Sequence, residues 1–298
     1  MRAVSILARC LALGILSVLA FGAADEPFWN SRPLGYWLNQ LRVGDAAARM
    51  QAARGVGEIA AAHGAAVVTA AIPLLVPCLD SPDAPLRAAA ADALGPIGTA
   101  AGGAGPRLVT LFEKDPDPTV RRAAGVALAR VTPGSSDLIS SSARVLSGDQ
   151  EASVREVAAA ALVEAGPAAS PGLPAAQEAM DDHDPMVRVF SAAIVARIGD
   201  RSRAMPVLLS GLSNNDPAVR AESAGLLADA APSDQAAVPA LINTLRDGDR
   251  QVRLAAVDAL ATIGPPAKSA LDPLWHLIRD PDENVRDHAL RAIKLIKE

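Results

Sequence analysis

Apolar residues recur along this chain at the three- and four-residue spacing of an α-helix. In one stretch, Val252, Ala256 and Leu260 fall on the same helical face, and polar side chains occupy the opposite face. Asp249 precedes this stretch at the position of an N-cap, and Gly264 follows it where a helix commonly ends. The pattern therefore predicts an amphipathic helix between Asp249 and Gly264.

The same stretch recurs along the chain, each time as an Asp or Glu followed four residues later by an arginine. The eight arginines are Arg49, Arg87, Arg121, Arg155, Arg188, Arg220, Arg253 and Arg286. They are spaced by 38, 34, 34, 33, 32, 33 and 33 residues. Self-similarity at this period is typical of solenoid proteins, in which each repeat buries its apolar face against its neighbours. About eight repeats, centred on these arginines, are therefore predicted within residues 25–298.

Each repeat is predicted to be a pair of helices, with the arginine in the second one. In six repeats a proline stands about 14 residues before the arginine, inside the predicted first helix: Pro73, Pro106, Pro174, Pro206, Pro239 and Pro273. Since proline bends or interrupts a helix, we expect these first helices to be bent. The fourth repeat lacks the proline and has three serines in 137–146. We predict that this helix is the weakest in the array and acts as a hinge.

These features together resemble the HEAT repeat. The resemblance rests on the paired helices, the proline in the first, the Asp-Pro-x-Val-Arg turn at 216–220, and the Ala-Leu-x-x-Ile-Gly ending at 259–264. It is closest to the short bacterial type, also found in phycobilisome lyase-like proteins, and covers residues 34–297. It implies an all-α fold, a right-handed α-solenoid (α-α superhelix) of about eight helical hairpins. HEAT proteins are mostly interaction scaffolds, although the fold does not fix the function.

The first 24 residues have a different pattern. Arg2 and Arg9 make the start positive, residues 10–21 are a 12-residue apolar run, and residues 22–24 are small. This predicts a secretory signal peptide, 1–24, cleaved before Asp25. Twelve apolar residues are too few to cross a bilayer, which needs about 20. We therefore expect residues 25–298 to be exported, to the periplasm or the extracellular space, with no integral membrane span.

Composition and charge restrict the partners. Hydrophobic residues make up 50% of the chain and aromatic residues only 3%, so the core is expected to consist of Ala, Leu, Val and Ile. The formal charge is −5, and loss of Arg2 and Arg9 with the signal leaves 26 positive against 33 negative residues, or −7. An acidic chain without a basic block matches nucleic acid poorly. This opposes a less favoured alternative, a HEAT-like DNA glycosylase, which retention on heparin would revive.

The recurring acid and arginine predict a structural role. Each Asp is expected to cap its own helix, worth about 1 kcal/mol, and each arginine to reach the Asp of an adjacent repeat, forming a ladder of pairs worth about 0–1 kcal/mol each. The cap and ladder residues are Asp83, Arg87, Asp117, Arg121, Asp184, Arg188, Asp216, Arg220, Asp249, Arg253, Asp282 and Arg286. Because the pair is repeated eight times, it indicates architecture rather than a catalytic acid and base.

Side chains of the second helices are candidates for a partner-binding groove. The candidates are Arg130, Val157, Glu164, Val189, Phe190 and Arg197. The charged members lie nine residues after the repeat arginines, opposite the buried face, and their alternating signs predict mutual pairing or recognition of a partner. The apolar members stand where other repeats carry Glu, Asp or Gln. They predict either an exposed patch that receives an apolar side chain of a partner or packing against the next helix.

Residues that would carry catalysis are sparse. The four histidines stand in different repeats: His63, His183, His276 and His288. None is followed by Glu, unlike the repeated His-Glu pairs of HEAT-type deoxyhypusine hydroxylases, so no metal or cofactor is predicted. The chain has no Gly-rich phosphate loop, GxSxG or CxxC motif. After loss of the signal, Cys78 is the one remaining cysteine and is expected to be a small buried side chain.

The sequence thus predicts an exported, non-catalytic scaffold that binds a protein or peptide along its concave surface, with the oligomeric state left open. The resemblance allows an alternative, a bilin lyase or isomerase-like enzyme. The secretion signal and the shortage of aromatic residues oppose it. Visible absorbance after incubation with a bilin would distinguish the two hypotheses.

Overall fold

A computed structural model describes residues 26–230 and 237–298 of the chain. The predicted signal peptide, residues 1–24, lies outside the described residues. Among the helices that the structure describes, none combines the length and the apolar composition needed to cross a membrane. The chain divides into two compact units, Met1–Pro133 and Gly134–Glu298, called here the N-terminal and the C-terminal unit.

The N-terminal unit begins with a short antiparallel hairpin and continues with paired helices. The strands are β1 (Phe28–Trp29) and β2 (Arg32–Pro33). The helices are α1 (Leu34–Val43), α2 (Ala46–His63), α3 (Ile72–Leu75), α4 (Ala84–Ile97), α5 (Gly105–Lys114) and α6 (Pro118–Val131). Segments of 3₁₀-helix precede and follow α3 (Ala65–Ala71 and Val76–Asp80) and precede α5 (Gly98–Ala104).

The C-terminal unit continues the same alternation. Its helices are α7 (Ser136–Gly148), α8 (Ala152–Ala165), α9 (Leu173–Ala179), α10 (Pro185–Ile198), α11 (Arg201–Gly211), α12 (Pro217–Ala230), α13 (Ala237–Thr244), α14 (Arg250–Ile263), α15 (Leu271–Leu277) and α16 (Glu283–Lys297). Segments of 3₁₀-helix precede α9 (Gly166–Gly172) and α15 (Pro265–Ala270).

Within each unit, the repeats stack in sequence order. In the N-terminal unit α2 packs on α4 and α4 on α6; in the C-terminal unit the same succession runs from α8 through α10, α12 and α14 to α16. The interfaces are filled by Ala, Leu, Val and Ile with little aromatic content, of which Leu94 and Leu128 in one unit and Leu227 and Leu260 in the other are fully buried. The predicted all-α class of stacked helix pairs is confirmed.

The prolines of the first helices occupy a different place from the expected one in at least four of these six repeats. Pro73, Pro106, Pro174 and Pro273 stand in the first turn of a short α-helix that follows a 3₁₀ segment, whereas Pro206 lies inside α11. Since the first helical positions need no N–H donor, proline there starts an α-helix instead of bending it. The first element of these repeats is therefore a 3₁₀ segment joined to an α-helix.

The segment expected to be the weakest is a regular helix. Helix α7 runs without interruption from Ser136 to Gly148, and the Ser135 side chain accepts a hydrogen bond from the Leu138 N–H at its start. Ser141 and Ser142 are buried, and the Ser142 hydroxyl has no hydrogen-bond partner. The hinge itself stays a prediction.

Candidate binding site at the repeat arginines

The acid four residues before each repeat arginine marks the start of the second helix. The Asp45, Asp83, Asp117, Asp184, Asp216, Asp249 and Asp282 side chains all accept hydrogen bonds from backbone N–H groups of the first turn. Glu151, the one longer acid in this position, precedes α8 without such a bond. A short carboxylate thus satisfies N–H groups that have no partner within the helix.

Seven of the eight repeat arginines are fixed by the loop that precedes their own helix. In Arg155, for example, Nη1 donates to the carbonyl oxygens of Asp149 at 2.8 Å and Gln150 at 3.0 Å. The same pair of contacts, to residues six and five positions earlier, occurs in Arg87, Arg121, Arg188, Arg220, Arg253 and Arg286. One edge of the guanidinium therefore closes the turn and leaves Nε and Nη2 for another partner.

In at least four of the repeats that the structure describes, that partner is an aspartate in the turn of the next repeat. Nε and Nη2 donate to the two carboxylate oxygens at 2.7–2.9 Å in Arg87–Asp115, Arg155–Asp182, Arg220–Asp247 and Arg253–Asp280. These side chains are all less than one fifth exposed. Such two-pronged, charge-assisted pairs are stronger than ordinary surface ion pairs.

The expected ladder between repeat arginines and capping aspartates is therefore wrong in its choice of acid. The ladder acid stands six residues before the next arginine, two residues before the cap. The cap Asp282, for instance, is contacted by Arg250 at 3.1 Å, while the repeat arginine Arg253 pairs with Asp280. The caps Asp83, Asp117, Asp184, Asp216 and Asp249 bond to their own helices instead, because their oxygens face the first turn.

The ladder acid has a second role within its own turn. In Asp247, Oδ1 accepts from the backbone N–H of Asp249 at 2.9 Å as well as from Nη2 of Arg220. Oδ2 accepts from Nε of the same arginine at 2.7 Å. The hydrogen bond from Arg220 is the main cause that lowers the pKa of Asp247 below its ordinary value. Each ladder acid thus orders a turn and neutralises an arginine at once.

Arg188 lacks this carboxylate. The residue at the ladder position of the next turn is Asn214, whose Oδ1 still accepts from the backbone N–H of Asp216 at 2.9 Å. Its other side-chain atom is an NH₂ group, which is a donor and offers nothing to the arginine. Among the residues that the structure describes, Arg188 has hydrogen-bond partners only at Nη1, the carbonyl oxygens of Asp182 and His183 at 2.7 and 2.9 Å.

A pocket of about 250 Å³ opens beside this arginine. Its walls come from α10, α11, the turn before α12 and the first turn of α12: Pro185, Arg188, Val189, Val207, Ser210, Gly211, Ser213, Asn214, Asn215 and Val219. Among these lining residues, Arg188 is the one with a charged side chain. Gly211 keeps the end of α11 close to its neighbours, because a Cβ there would come within 2.8 Å of Val189 Cγ1 and still nearer to Ser223.

In the first repeat, the arginine contacts a sulfur atom instead of a carboxylate. Nη2 of Arg49 donates to Sγ of Cys78 at 3.2 Å, and Cys78 is fully buried. Burial is the largest cause that raises the pKa of the Cys78 thiol, opposed by the positive charge of Arg49. Cys78 is thus a buried side chain, as expected, but one with a polar contact.

The predicted groove residues separate into two groups. Val157 and Glu164 lie seven residues apart on one face of α8, and Phe190 and Arg197 do so on α10; the apolar members are half-buried and the charged ones exposed. Of the two alternatives for the apolar candidates, Val189 follows the second, packing against the next helix. It is only 2% exposed, because the Gly211 backbone of α11 packs against it.

In the described part of the C-terminal unit, Arg197 bonds to a backbone carbonyl instead of pairing with Glu164. Nη1 of Arg197 donates to the carbonyl oxygen of Val163, near the end of α8, at 3.0 Å. In the N-terminal unit Arg130 is exposed and lies over Gly95 of α4, its Cδ being 3.6 Å from the place of a Cβ there. Long side chains therefore cover the ends of neighbouring helices. On α12, burial raises the pKa of Glu222, and the negative charge of Asp229 adds to this.

The structure assembles no metal centre from the residues it describes, since no three His, Cys, Asp or Glu side chains converge there. What it brings together is a set of similar arginine sites, four of which hold a carboxylate of the next repeat. The class that this fold and these sites define is an α-solenoid of helix pairs.

The family model described as HEAT repeats matches residues 36–129 and 205–294, more than half of the chain. The chain belongs to the HEAT repeat family. No curated protein matches it.

Among solved structures, the chain is similar to the complex of CpcE and CpcF of phycocyanin lyase from Nostoc sp. PCC7120. The two are 20% identical with a TM-score of 0.59, over 93% of this chain and 98% of that chain. Two engineered proteins solved by the Northeast Structural Genomics Consortium are 23% and 24% identical, with TM-scores of 0.38 and 0.36. They cover 88% and 89% of this chain, and 88% and 96% of their own. At such identities the likeness to the lyase structure concerns the fold.

Proposed function

We propose that this chain is an exported, non-catalytic scaffold that binds a protein or peptide on the face formed by its second helices. The observation that carries the proposal is the mixed surface of α8, α10 and α12. There the half-buried Val157 and Phe190 alternate with the exposed Glu164, Arg197 and Asp229. Apolar side chains surrounded by charges of both signs suit a partner that offers both, as proteins do.

A capture experiment with two matched variants tests this proposal. Phe190→Ala removes the aromatic side chain from this face, and Leu254→Ala removes an equally half-buried apolar side chain from α14. Partners retained from the native envelope fraction are identified, purified and titrated against the three proteins. We expect Phe190→Ala to weaken binding about tenfold or more, as a central aromatic contact does, with little change in melting temperature. Equal affinities of all three proteins would contradict the proposal, and a large loss of stability would identify Phe190 as core.

The export part of the proposal has its own test. Signal cleavage predicts a mature protein that starts at Asp25 and is recovered outside the cytoplasmic membrane. N-terminal sequencing of the protein from fractionated cells measures both. A retained residue 1 in the cytoplasmic fraction would contradict export.

The alternative function, a bilin lyase or isomerase, predicts a coloured product. Incubation of the purified protein with a bilin and an acceptor protein, followed by visible absorbance, tests it. A chromophore transferred to the acceptor would replace the non-catalytic proposal.

A further inference from the structure

The Arg188 site is a complete carboxylate-binding site without its carboxylate. In the four filled sites, Nε and Nη2 of the repeat arginine hold the two oxygens of an aspartate at 2.7–2.9 Å. In Arg188 the Nη1 edge is fixed by the carbonyl oxygens of Asp182 and His183, as in the filled sites. The same atoms that bind aspartate elsewhere therefore stay available, in an orientation that the turn already sets.

The turn opposite Arg188 keeps its shape without an acid. Oδ1 of Asn214 accepts the Asp216 N–H at 2.9 Å, and Oδ1 of Asp247 accepts the Asp249 N–H at the same distance. The substitution of one oxygen by NH₂ thus removes the internal ligand of Arg188 and leaves the turn in place. A site that is ordered before a ligand arrives loses less entropy on binding.

The pocket beside Arg188 suits a small anionic group. Its volume is about 250 Å³, and its lining combines one guanidinium with the polar residues Ser210, Ser213 and Asn215 and no carboxylate. Pockets for whole drug-sized ligands run from about 300 to 1,000 Å³, so this one fits a single side chain or chain end better. Charge and size therefore both favour a carboxylate carried by a larger partner.

We propose that Arg188 binds a carboxylate of a partner peptide, which takes the place that Asp182 and Asp247 take in the neighbouring repeats. That the carboxylate belongs to a peptide rests on the proposed scaffold function, whereas the binding of a carboxylate by Arg188 does not depend on it. The carboxylate comes from an Asp or Glu side chain or from a C-terminus. Two parallel hydrogen bonds from one guanidinium give the contact its geometry.

The first experiment titrates the protein with acetate while following the Nε–H resonance of Arg188 by NMR. We expect a saturable shift in the wild type. Asn214→Asp supplies the internal acid and should abolish the shift, whereas Asn243→Asp, the same charge change at an exposed position of α13, should leave it. An unresponsive Arg188 resonance in the wild type, or an unchanged response in Asn214→Asp, would overturn the proposal.

The reciprocal variant opens a site that is filled in the wild type. Asp247→Asn reproduces at Arg220 the arrangement found at Arg188, with the turn bond from Asp249 retained. The Nε–H resonance of Arg220 should be insensitive to acetate in the wild type and become sensitive in the variant. If the Arg220 resonance shifted with acetate in both proteins, the shift would not depend on the missing carboxylate, and the proposal would be overturned.

Three blocked peptides distinguish the two sources of the carboxylate. They are acetyl-Gly-Asp-Gly-amide, acetyl-Gly-Gly-Gly with a free C-terminus, and acetyl-Gly-Asn-Gly-amide, which has no carboxylate. We expect at least one of the first two to bind about tenfold tighter than the third, because only these two can accept hydrogen bonds through a charged carboxylate. Equal binding of all three would contradict the site.

The outcomes of these experiments distinguish a failure of the carboxylate site from a failure of the scaffold function. Binding of the small carboxylates without any retained partner protein would refute the scaffold and keep the site. A retained partner that binds Asn214→Asp as well as the wild type, with no acetate response at Arg188, would refute the site and keep the scaffold.

Discussion

Two neighbouring sites in the C-terminal unit, at Arg155 and at Arg188, have the same arrangement except for the residue opposite the arginine. That residue is Asp182 at the first site and Asn214 at the second, so an NH₂ group replaces one carboxylate oxygen. Each arginine closes its own turn through Nη1. Each also borders a pocket, of about 370 Å³ at Arg155 and about 250 Å³ at Arg188. At Arg155 the carboxylate of Asp182 holds Nε and Nη2 at 2.7 and 2.8 Å; at Arg188 the amide of Asn214 does not.

The comparison separates two tasks that one aspartate performs in the filled sites. Asp182 Oδ1 orders its own turn by accepting the Asp184 N–H at 2.8 Å, and the carboxylate as a whole neutralises Arg155. Asn214 keeps the first task and gives up the second. A repeat can therefore lose a stabilising pair and keep its backbone, which is how a structural position becomes available for binding.

The largest expected effect is the conversion of the filled site into a vacant one. Asp182→Asn should retain the turn bond and leave the little-exposed Arg155 unpaired. We expect a loss of about 2–3 kcal/mol in the free energy of unfolding, because a charged hydrogen-bonded pair loses one partner. Urea denaturation measures it, with Asp287→Asn, the same charge change at an exposed position of α16, as the control. A loss below the error of the method would mean that the pair contributes nothing.

A second effect comes from the helix that walls the vacant site. Gly211 stands where the filled site has Ala179, and a Cβ at 211 would press on Val189 and Ser223. Gly211→Ala should therefore destabilise the protein by about 1–2 kcal/mol through overpacking. The matched change Ala179→Gly tests whether the effect is specific to α11. Thermal and urea unfolding of both variants check this, and a neutral Gly211→Ala would show that α11 can move away.

A third effect concerns Asn214→Asp, which places a carboxylate of the chain itself opposite Arg188. Asn214→Asp should create the pair seen at Arg155 and raise the free energy of unfolding by about 1 kcal/mol at neutral pH. The measurement is the melting temperature, beside that of Asn243→Asp. A lower melting temperature for Asn214→Asp alone would mean that the turn before α12 cannot bring a carboxylate to Arg188.

The smallest effect is a dependence on pH that only filled sites have. The pKa of Asp247 is lowered in the folded state, first by the hydrogen bond from Arg220. Its stabilising contribution is therefore present above the unfolded-state pKa of about 3.9 and is lost as the pH falls through the lower folded value. Asp247→Asn should flatten the acid side of the stability curve, whereas Asn214→Asp should steepen it. Parallel curves for the wild type and Asp247→Asn would contradict this.

The sequence predicts most of the fold because its signals are local. Asp249 and Gly264 bound a helix through bonds within one turn, and the 33-residue period follows directly from the spacing of Arg220, Arg253 and Arg286. Such features need no knowledge of what lies across the interface.

The site was harder to predict because its partners come from the next repeat. An acid six residues before the arginine is visible in the sequence at Asp115, Asp182, Asp247 and Asp280, and its replacement by Asn214 is equally visible. The acid four residues before the arginine recurs as regularly, so spacing alone did not separate the cap from the ladder. For Val189 the sequence leaves exposure and packing against the next helix open, because no helical pattern within α10 contains the Gly211 that covers it.

One measurement tests the central claim, that a carboxylate at position 214 and an added carboxylate compete for Arg188. It is the melting temperature of the wild type and of Asn214→Asp as acetate replaces chloride at constant pH and ionic strength. A ligand that binds the native state raises its stability with concentration. We expect the melting temperature of Asn214→Asp to start higher and the difference to shrink as acetate increases, because only the wild type has the site open. Two curves that rise in parallel, or that stay flat together, would contradict it.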